Sequence, residues 1–541
     1  MRIILISTPT RTYAPNPLPP LGIMSLAAHM ERLGHSVRIL DGAALRKPHE
    51  EIASLVSDFA PDLIGVGGII TAYAYIIGLT HALRRAMPRA PIVLGGQVAI
   101  NTADLCFQHM AVDYIVHGYG EIALEKLVRH LEGDLRIEDI PGLSYRREGA
   151  AVDNPGREYF PCMEDVPLPA YHLVDMEHYA TVNGIKSPKL QKYLEQTGKS
   201  VKNHRYAPVM GTLGCTDRCT FCVHEQEFVG LKIFPTDRVI ENIRFLRDTY
   251  DIHVVSIGEE MFLTTLHRAQ EFNRRMKEEL PDVYWSSSTR ANHVTPELIR
   301  ELETGNCFYI AWGFESGSQR MLDLMKKRIT RRQNIDAYRL VDSSKVVASA
   351  SLMVGNVGED DHSVKDTISA VHEAGIFSAT PFFATPYPGG RTWDWAVERG
   401  IIPDRHEYLL KVSDQDAASR IHCNLTPYPD FILKTWQRMI QWACAQEEQK
   451  NAVHIHIAIT PLQRLKAWLR LWFGFYLMPT PLLPLFVDIY FLAHRLRKRV
   501  WETERDRCCA HRTDPDGGLS VEHLRVGKPQ TWRVQASANA H

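Results

Sequence analysis

Neither sign of charge is in surplus: 62 Lys and Arg face 63 Asp and Glu across 541 residues, a formal net charge of −1. Proteins that clasp a phosphate backbone show a basic excess, so nucleic acid is not the expected partner. An export signal is also missing. Met1-Arg-Ile-Ile-Leu-Ile6 is too short for its apolar region and reads as a buried strand. Without such a signal, the 10 cysteines read as reduced thiols rather than a disulfide framework, which makes the cytoplasm the expected location. No G-x-G-x-x-G opens a helix after that first strand, which argues against a dinucleotide.

What is present suffices for roughly three domains, since 45% of the residues are hydrophobic. In residues 1–145, apolar runs at Ile3–Ile6, Val37–Leu40, Leu63–Val66, Ile92–Leu94 and Tyr114–Val116 alternate with helical patterns. That alternation predicts an α/β, doubly wound, Rossmann-like parallel sheet. A ligand on such a sheet sits beyond the carboxyl ends of the strands. The turns there are rich in glycine, at Gly67–Thr71, Gly95-Gly96-Gln97 and His117-Gly-Tyr-Gly-Glu121. Glycine lets backbone approach a large flat ligand closely.

Residues 205–430 repeat strand then helix six times, from Val209–Thr212 to Phe377–Phe383. This predicts a barrel or open barrel whose active site lies at the carboxyl ends of its strands. One such end leads into Gly211-Thr-Leu-Gly-Cys215-Thr-Asp-Arg-Cys219-Thr-Phe-Cys222. Thiolates are the ligands that iron–sulfur clusters take. Three of them leave one iron of a four-iron cube open to a substrate or cofactor. The competing reading is a structural zinc site, with His224 as the fourth ligand.

The C-x3-C-x-aromatic-C spacing, with Phe221 before the last cysteine, resembles the radical S-adenosylmethionine (SAM) signature. The resemblance implies a partial (β/α)6 barrel and a [4Fe-4S] cluster on Cys215, Cys219 and Cys222, whose open iron holds SAM. It implies SAM contacts at Phe221, at Gly258, Glu259 and Glu260, at Arg290, at Glu315 and Ser316 of Gly313-Phe-Glu-Ser-Gly317, and at Val354 and Gly355. Met353-Val-Gly355-Asn-Val-Gly358-Glu359 departs from the family's Gly-x-Pro-Gly-Glu at Val357. Tyr387 is a candidate catalytic relay on the substrate side, set against simple packing.

Pro19-Pro-Leu-Gly22, Gly34-His-Ser-Val37 with Asp41, Leu94-Gly-Gly96 and Gly118-Tyr-Gly-Glu121 resemble the cobalamin-binding domain that precedes many radical SAM barrels. The resemblance implies cobalamin contacts at Pro20, Leu21, Gly22, Thr71, Gly95, Gly96, Gln97, Gly118, Tyr119, Gly120 and Glu121. Asp41-Gly-Ala-Ala lacks the Asp-x-His-x-x-Gly that supplies a cobalt-ligating histidine elsewhere, so cobalamin is expected with no histidine on cobalt.

Residues 146–204 read as a linker, with Lys186–Asn203 a loop or short helix. Residues 431–505 read as a helical carboxyl-terminal region, and 506–541 as a disordered tail. Within 461–500, aromatic runs flanked by basic residues suit either a membrane interface or a lid over the site. Neither run is long enough to span a bilayer.

Together these imply a cobalamin-dependent radical SAM methyltransferase acting on an unactivated carbon, with methylcobalamin as methyl carrier. The expected partners are a small-molecule or lipid-like substrate and an external flavodoxin- or ferredoxin-type electron donor. The alternatives are a cobalamin-dependent cyclase, oxidase or rearrangement enzyme and, from another class, a non-catalytic cobalamin or iron–sulfur sensor.

Overall fold

The computed structural model describes residues 1–10, 18–183, 188–223, 230–258, 261–377, 379, 381–414 and 420–454. The expectations for Glu259, Glu260, His224, the segment 461–500 and the tail 506–541 lie outside the described residues.

The first sheet holds β1 (Arg2–Ser7), β2 (Ser36–Asp41), β3 (Leu63–Gly67), β4 (Ile92–Gly95), β5 (Tyr114–Val116), β6 (Leu143–Arg147) and β7 (Ala150–Asp153). Their order is β2-β1-β3-β4-β5-β6-β7, with β1 to β5 parallel and the last two antiparallel. Ile3, Ile4, Leu5 and Ile6 of the central strand are all buried, because helices cover both faces of a parallel sheet. The hairpin of β6 and β7 carries this sheet to Asp153, past the expected start of the linker at 146. Its signal was weak, since β7 lies at the edge and the turn between the two strands is flanked by Arg146, Arg147, Ala150 and Ala151 rather than long apolar side chains.

Residues 188–197 form a helix whose Leu190 and Tyr193 pack on Val254, Tyr284, Phe308 and Val347. These four side chains sit at or near the amino ends of their strands, so the helix plugs that end of the second sheet.

The second sheet contains β8 (Tyr206–Val209), then, after a short antiparallel pair β9 (Thr212–Leu213) and β10 (Lys232–Ile233), β11 (Val254–Ile257), β12 (Tyr284–Ser288), β13 (Cys307–Glu315), β14 (Val347–Val354) and β15 (Pro381–Phe383). All six strands pair in parallel in the order β15-β14-β13-β12-β11-β8, a half-barrel. Each crossover helix has local cause. Thr295 caps the helix Pro296–Glu303 by accepting from Leu298 N, and proline holds its first position. Asp360 and Ser363 form a capping box on Asp361–Ala374. The helix Gln319–Leu324 is short, and Lys326 and Arg328 beyond it turn the backbone to φ +52°.

One apolar core joins the first sheet to the helices that follow the second. Ile4, Ile6, Val66 and Leu94 of the first sheet, with Ile76 of helix Tyr73–Ala86, are continuous with Trp393, Tyr408 and Leu409 from helices Arg391–Glu398 and Arg405–Val412. Tyr73 Oη bonds His406 Nδ1 at 2.9 Å and Ala74 N donates to Ser413 Oγ at 3.1 Å across the same seam. Among the described residues no helix is long and apolar enough to cross a membrane.

Removing a fully buried leucine from that seam costs about 3 kcal/mol. Leu409→Ala should therefore lower the melting temperature while the described body still unfolds in a single calorimetric transition, because this core ties the first sheet to the helices that follow the second.

Candidate functional site: two facing strand-end sites

The glycine turns of the first sheet surround a cavity of about 420 Å³ at the carboxyl ends of β1, β3, β4 and β5. Pro20, Leu21, Gly22, Gly95, Gly96, Gln97, Gly118, Tyr119, Gly120 and Glu121 all line it, beside Thr8, Gly67, Gly68 and Ile69. Thr71 stands just behind, its hydroxyl donating to the carbonyl of Thr10 at 2.6 Å. Side chains are excluded from the cradle by close backbone approach. A Cβ on Gly68 would lie 2.3 Å from Thr8 Oγ1, and one on Gly96 would lie 2.6 Å from Gly68 O with φ at +85°. The remaining walls are apolar: Leu5, Ile23, Leu26, Val66, Val93, Leu94, Val116 and Leu124. Neither histidine nor cysteine occurs among the described lining residues. A smooth cradle with scattered hydroxyl, amide and carboxyl groups fits a large flat cofactor such as cobalamin, and it offers cobalt no imidazole.

Glu121 also borders a smaller cavity of about 90 Å³, shared between Gly22, Tyr119 and Phe160 on one side and Met210, Leu213 and Phe234 on the other. Ser25 Oγ donates to Glu121 at 2.7 Å, and burial raises the pKa of this carboxyl. Met210 and Leu213 lead directly into the cysteine loop. On the far side, Gly389 has φ +96°, and a Cβ there would meet Ile100 Cγ2 at 2.7 Å and the carbonyl of Val223 at 3.4 Å. The carboxyl ends of both sheets thus open toward each other.

In the cysteine loop Cys219 is buried, Cys215 and Cys222 are half-buried, and none of the three is in a disulfide. Cys222 N donates to Cys219 O at 3.0 Å, and Cys215 Sγ lies 3.4 Å from Met261 Sδ. Among the described residues no three His, Cys, Asp or Glu side chains converge on one point as a single metal ion requires. A four-iron cube places its thiolates on separate irons, so three cysteines spaced along one loop fit a cluster.

Buried charges pack against the loop. Asp217 pairs with Arg290 at 3.0 Å and with Arg328 at 2.7 Å, and Arg290 also donates to the carbonyl of Lys327. Glu315 pairs with Lys327 at 3.0 Å, and Lys327 Nζ stands 5.8 Å above the ring of Phe221. Burial pushes the Cys219 thiol up, opposed by the cations Lys327 and Arg290. Burial pulls Lys327 down, but Glu315 and the Cys219 thiol outweigh it and its pKa ends raised.

The structure thus gathers Cys219, Phe221, Arg290 and Glu315 in one place. Glu315 sits at φ +60°, in a bulge of β13, with its carboxylate folded over Gly313, where a Cβ would come within 1.9 Å of it. Such non-glycine outliers concentrate at working sites. Ser316, Val354 and Tyr387 are engaged in packing, and Gly258 and Gly355 directly follow strand ends. Ser316 is fully buried, with its hydroxyl against Thr367 Oγ1 at 3.1 Å and Ser318 N at 3.1 Å. Val354 is buried in β14, and Gly355 packs on Leu433, which a Cβ would reach at 2.9 Å. Gly258 is exposed at the end of β11. Tyr387 packs on the shared core.

Sequence reading missed Asp217, Lys327 and Met261, and it left Glu359 without a role. Glu359 is buried and closes its turn by accepting from Gly355 N and, at 3.3 Å, from Asn356 N. Burial pushes its pKa up to about 7.

Comparison with known proteins agrees with this layout. Residues 8–128 match the family described as the B12 binding domain, and residues 209–371 match the Radical SAM superfamily. An uncharacterised methyltransferase of Pyrococcus horikoshii is 28% identical over 74% of this chain and 84% of its own length. The cytidylyl-2-hydroxyethylphosphonate methyltransferase of Streptomyces wedmorensis is 24% identical over 76% and 84%. An anaerobic magnesium-protoporphyrin IX monomethyl ester cyclase of Synechocystis is 23% identical over 82% and 85%. Among solved structures, the radical SAM methyltransferase TsrM from Kitasatospora setae, with tryptophan and a SAM analogue bound, shares the fold with a TM-score of 0.60. It is 18% identical over 74% of this chain and 77% of that one.

Two measurements test the charge assignments. Asp217→Asn leaves Arg290 buried without its carboxylate, and breaking such a pair costs about 3 kcal/mol. Iron retention after gel filtration should fall about tenfold, whereas Asp336→Asn, which breaks an exposed pair with Arg332, should leave it unchanged. The second concerns Glu359, whose folded-state pKa stands above its unfolded value of 4.5, so the fold holds a proton that the unfolded chain has released. Stability therefore falls as pH rises from 4.5 through about 7. In urea titrations, Glu359→Gln should match wild type at pH 4.5 and exceed it by about 3 kcal/mol above pH 7.

Proposed function

The chain belongs to the cobalamin-binding radical SAM enzymes, and from that premise we propose that it methylates an unactivated carbon of a small-molecule substrate. The observation that carries this reading is the convergence of the two strand-end sites, bridged by the cavity between Glu121 and Met210. A methyl carrier and a hydrogen-abstracting centre must both reach one substrate carbon, and facing sites make that possible without moving a domain.

When bound, the cluster with SAM supplies a 5′-deoxyadenosyl radical, and cobalamin supplies the methyl group. The chain's own residues do the rest. Cys215, Cys219 and Cys222 hold the cluster, and Lys327 and Arg290 set positive charge beside an anionic centre. Phe221 and Glu315 offer an apolar face and a carboxylate to the nucleoside part of SAM, with Gly258 and Gly355 at neighbouring strand ends. The glycine cradle at Gly68, Gly96 and Gly120 admits the corrin face, and the apolar walls keep water from it.

Phe160, Met163, Val166, Met210, Leu213 and Phe234 around the cavity between the two sites favour a hydrophobic substrate. Turnover also needs an external one-electron donor. Cyclisation is the second reading, favoured by the likeness to a cyclase.

The deciding experiment is anaerobic incubation of reconstituted protein with SAM, methylcobalamin, reductant and candidate hydrophobic substrates. Methylation yields 5′-deoxyadenosine and S-adenosylhomocysteine together. Deoxyadenosine alone would replace methylation by cyclisation or rearrangement. Cys219→Ala should abolish both nucleosides along with the cluster's visible absorbance.

A further inference from the structure

The half-barrel sheet has one face covered by helices and one left open, and the open face is lined with serine. We propose that this face holds an uncharged, hydroxylated portion of the substrate, such as a sugar or polyol group, which makes the substrate an amphiphile rather than a plain hydrocarbon. The proposal rests on the methylation reading above, which brings a substrate to the carboxyl ends of these strands.

Register puts the serines on one face. Ser256 of β11 lies beside Ser286 of β12, and Ser288, two residues on, lies beside Ala311 of β13. Ala311 in turn lies beside Ser349 of β14, and Gly313 beside Ser351. Paired residues, and residues two apart on one strand, share a side of a sheet. The alternate residues face the helices. Trp285 meets Phe272 with ring centroids 5.0 Å apart, and Trp312 meets Tyr338 at 6.0 Å.

Solvent reaches the serine face. Ser256, Ser288, Ala311, Gly313 and Ser349 are half-buried and Ser351 is exposed, in the middle of a sheet whose other face is covered. Bulky branched side chains fill the interior of a closed barrel. Here the side chains are small and leave room. Leu190 and Tyr193 close the amino end by packing on Val254 and Val347, so the face forms a trough with its mouth beside Glu315.

The chemistry of the lining selects the ligand. The hydroxyls of Ser286, Ser288, Ser349 and Ser351 have no partner among the described residues. Those of Ser287 and Thr289, which alternate with them, donate to the carbonyls of Ser288 and Leu263 at 3.3 and 2.9 Å. An apolar ligand pressed on the open hydroxyls would strip them of water and return no hydrogen bond, which is costly. A hydroxylated ligand can both donate to them and accept from them.

Charge meets the trough only at its ends among the described residues. Lys189 donates to Tyr309 Oη at 2.6 Å at the closed end, and Glu315, Lys327 and Arg290 at the mouth are all in ion pairs. Glu259 and Glu260, which follow Gly258 at the mouth, lie outside the described residues. An ionic group deep in the trough would therefore lack a counter-charge. The apolar remainder of the same molecule is met beyond the end of β8 by Met210, Leu213 and Phe234.

The test is anaerobic calorimetry on the reconstituted protein with cobalamin and SAM bound, using three probes that share one tail: octyl β-D-glucoside below its micelle concentration, 1-octanol and octyl phosphate. The glucoside should bind more tightly than either of the others. Ser286→Ala with Ser349→Ala should weaken the glucoside about 25-fold, about fivefold for each hydrogen bond lost, and leave octanol unchanged. Wild-type iron content and melting temperature in that variant show that the fold is intact, and the comparison of probes on the wild-type protein needs no variant. Octanol or octyl phosphate binding as tightly as the glucoside, no binding of the glucoside, or a glucoside affinity untouched by the substitutions would each overturn the proposal. A loss of SAM affinity with the glucoside unaffected would do so as well, by giving the serines to SAM. Failure of the methylation reading looks different: the glucoside binds as stated, while no substrate yields S-adenosylhomocysteine together with deoxyadenosine.

Discussion

The cysteine loop is held by charge buried beneath it. Asp217, Arg290, Glu315 and Lys327 come from four places in the chain, and Arg290, Glu315 and Lys327 are each 8% exposed. Alone, any of them would cost several kcal/mol to remove from water. Together they are tolerable, because each lies within ion-pair distance of an opposite charge and Lys327 gives its carbonyl to Arg290 as well. Such a set is stabilising only when complete. It ties the loop to the ends of β12 and β13 and to the turn after helix Gln319–Leu324, and these are the elements that must hold still around a cluster and its ligand. Specificity of arrangement, rather than net stability, is what a buried set of this kind contributes.

A second constraint is steric. At both strand-end sites the backbone passes so close to its neighbours that a methyl group has no room, at Gly68 and Gly96 in one and at Gly313 in the other. In the first site the result is a smooth concave floor. In the second it is a carboxylate bent over the sheet toward a lysine. The same residue type serves opposite ends: one site is emptied of side chains, and the other is made to receive one.

Much of this was legible in the sequence, for physical reasons that differ by residue. The strands Ile3–Ile6 and Leu63–Val66 were legible because strands buried on both faces are runs of apolar residues. The cradle was legible because glycine has so few reasons to cluster at strand ends. The charge set was not. Asp217 and Arg328 lie 111 residues apart, and nothing in either neighbourhood announces the other. Ser316 illustrates the reverse difficulty. It stands inside a recognisable string, yet its hydroxyl turns to Thr367 on helix Asp361–Ala374, and a string does not say which way a side chain points. The turn at Lys326 to Arg328 was hidden because its basic residues have good helix propensity. Only the opposed demands on Lys327 and its two neighbours end the helix there.

The apolar core that runs from β1 through Leu94 into Trp393 and Leu409 has a consequence for inheritance. A segment of chain almost three hundred residues downstream finishes the interior of the amino-terminal sheet, so the unit that recombination could exchange is not the contiguous stretch that a boundary drawn along the sequence would suggest. A cofactor-binding half transplanted onto another barrel would arrive with its flank bare unless residues 391–412 travelled with it. Descent with this seam favours change by point substitution and loop replacement over the shuffling of whole modules.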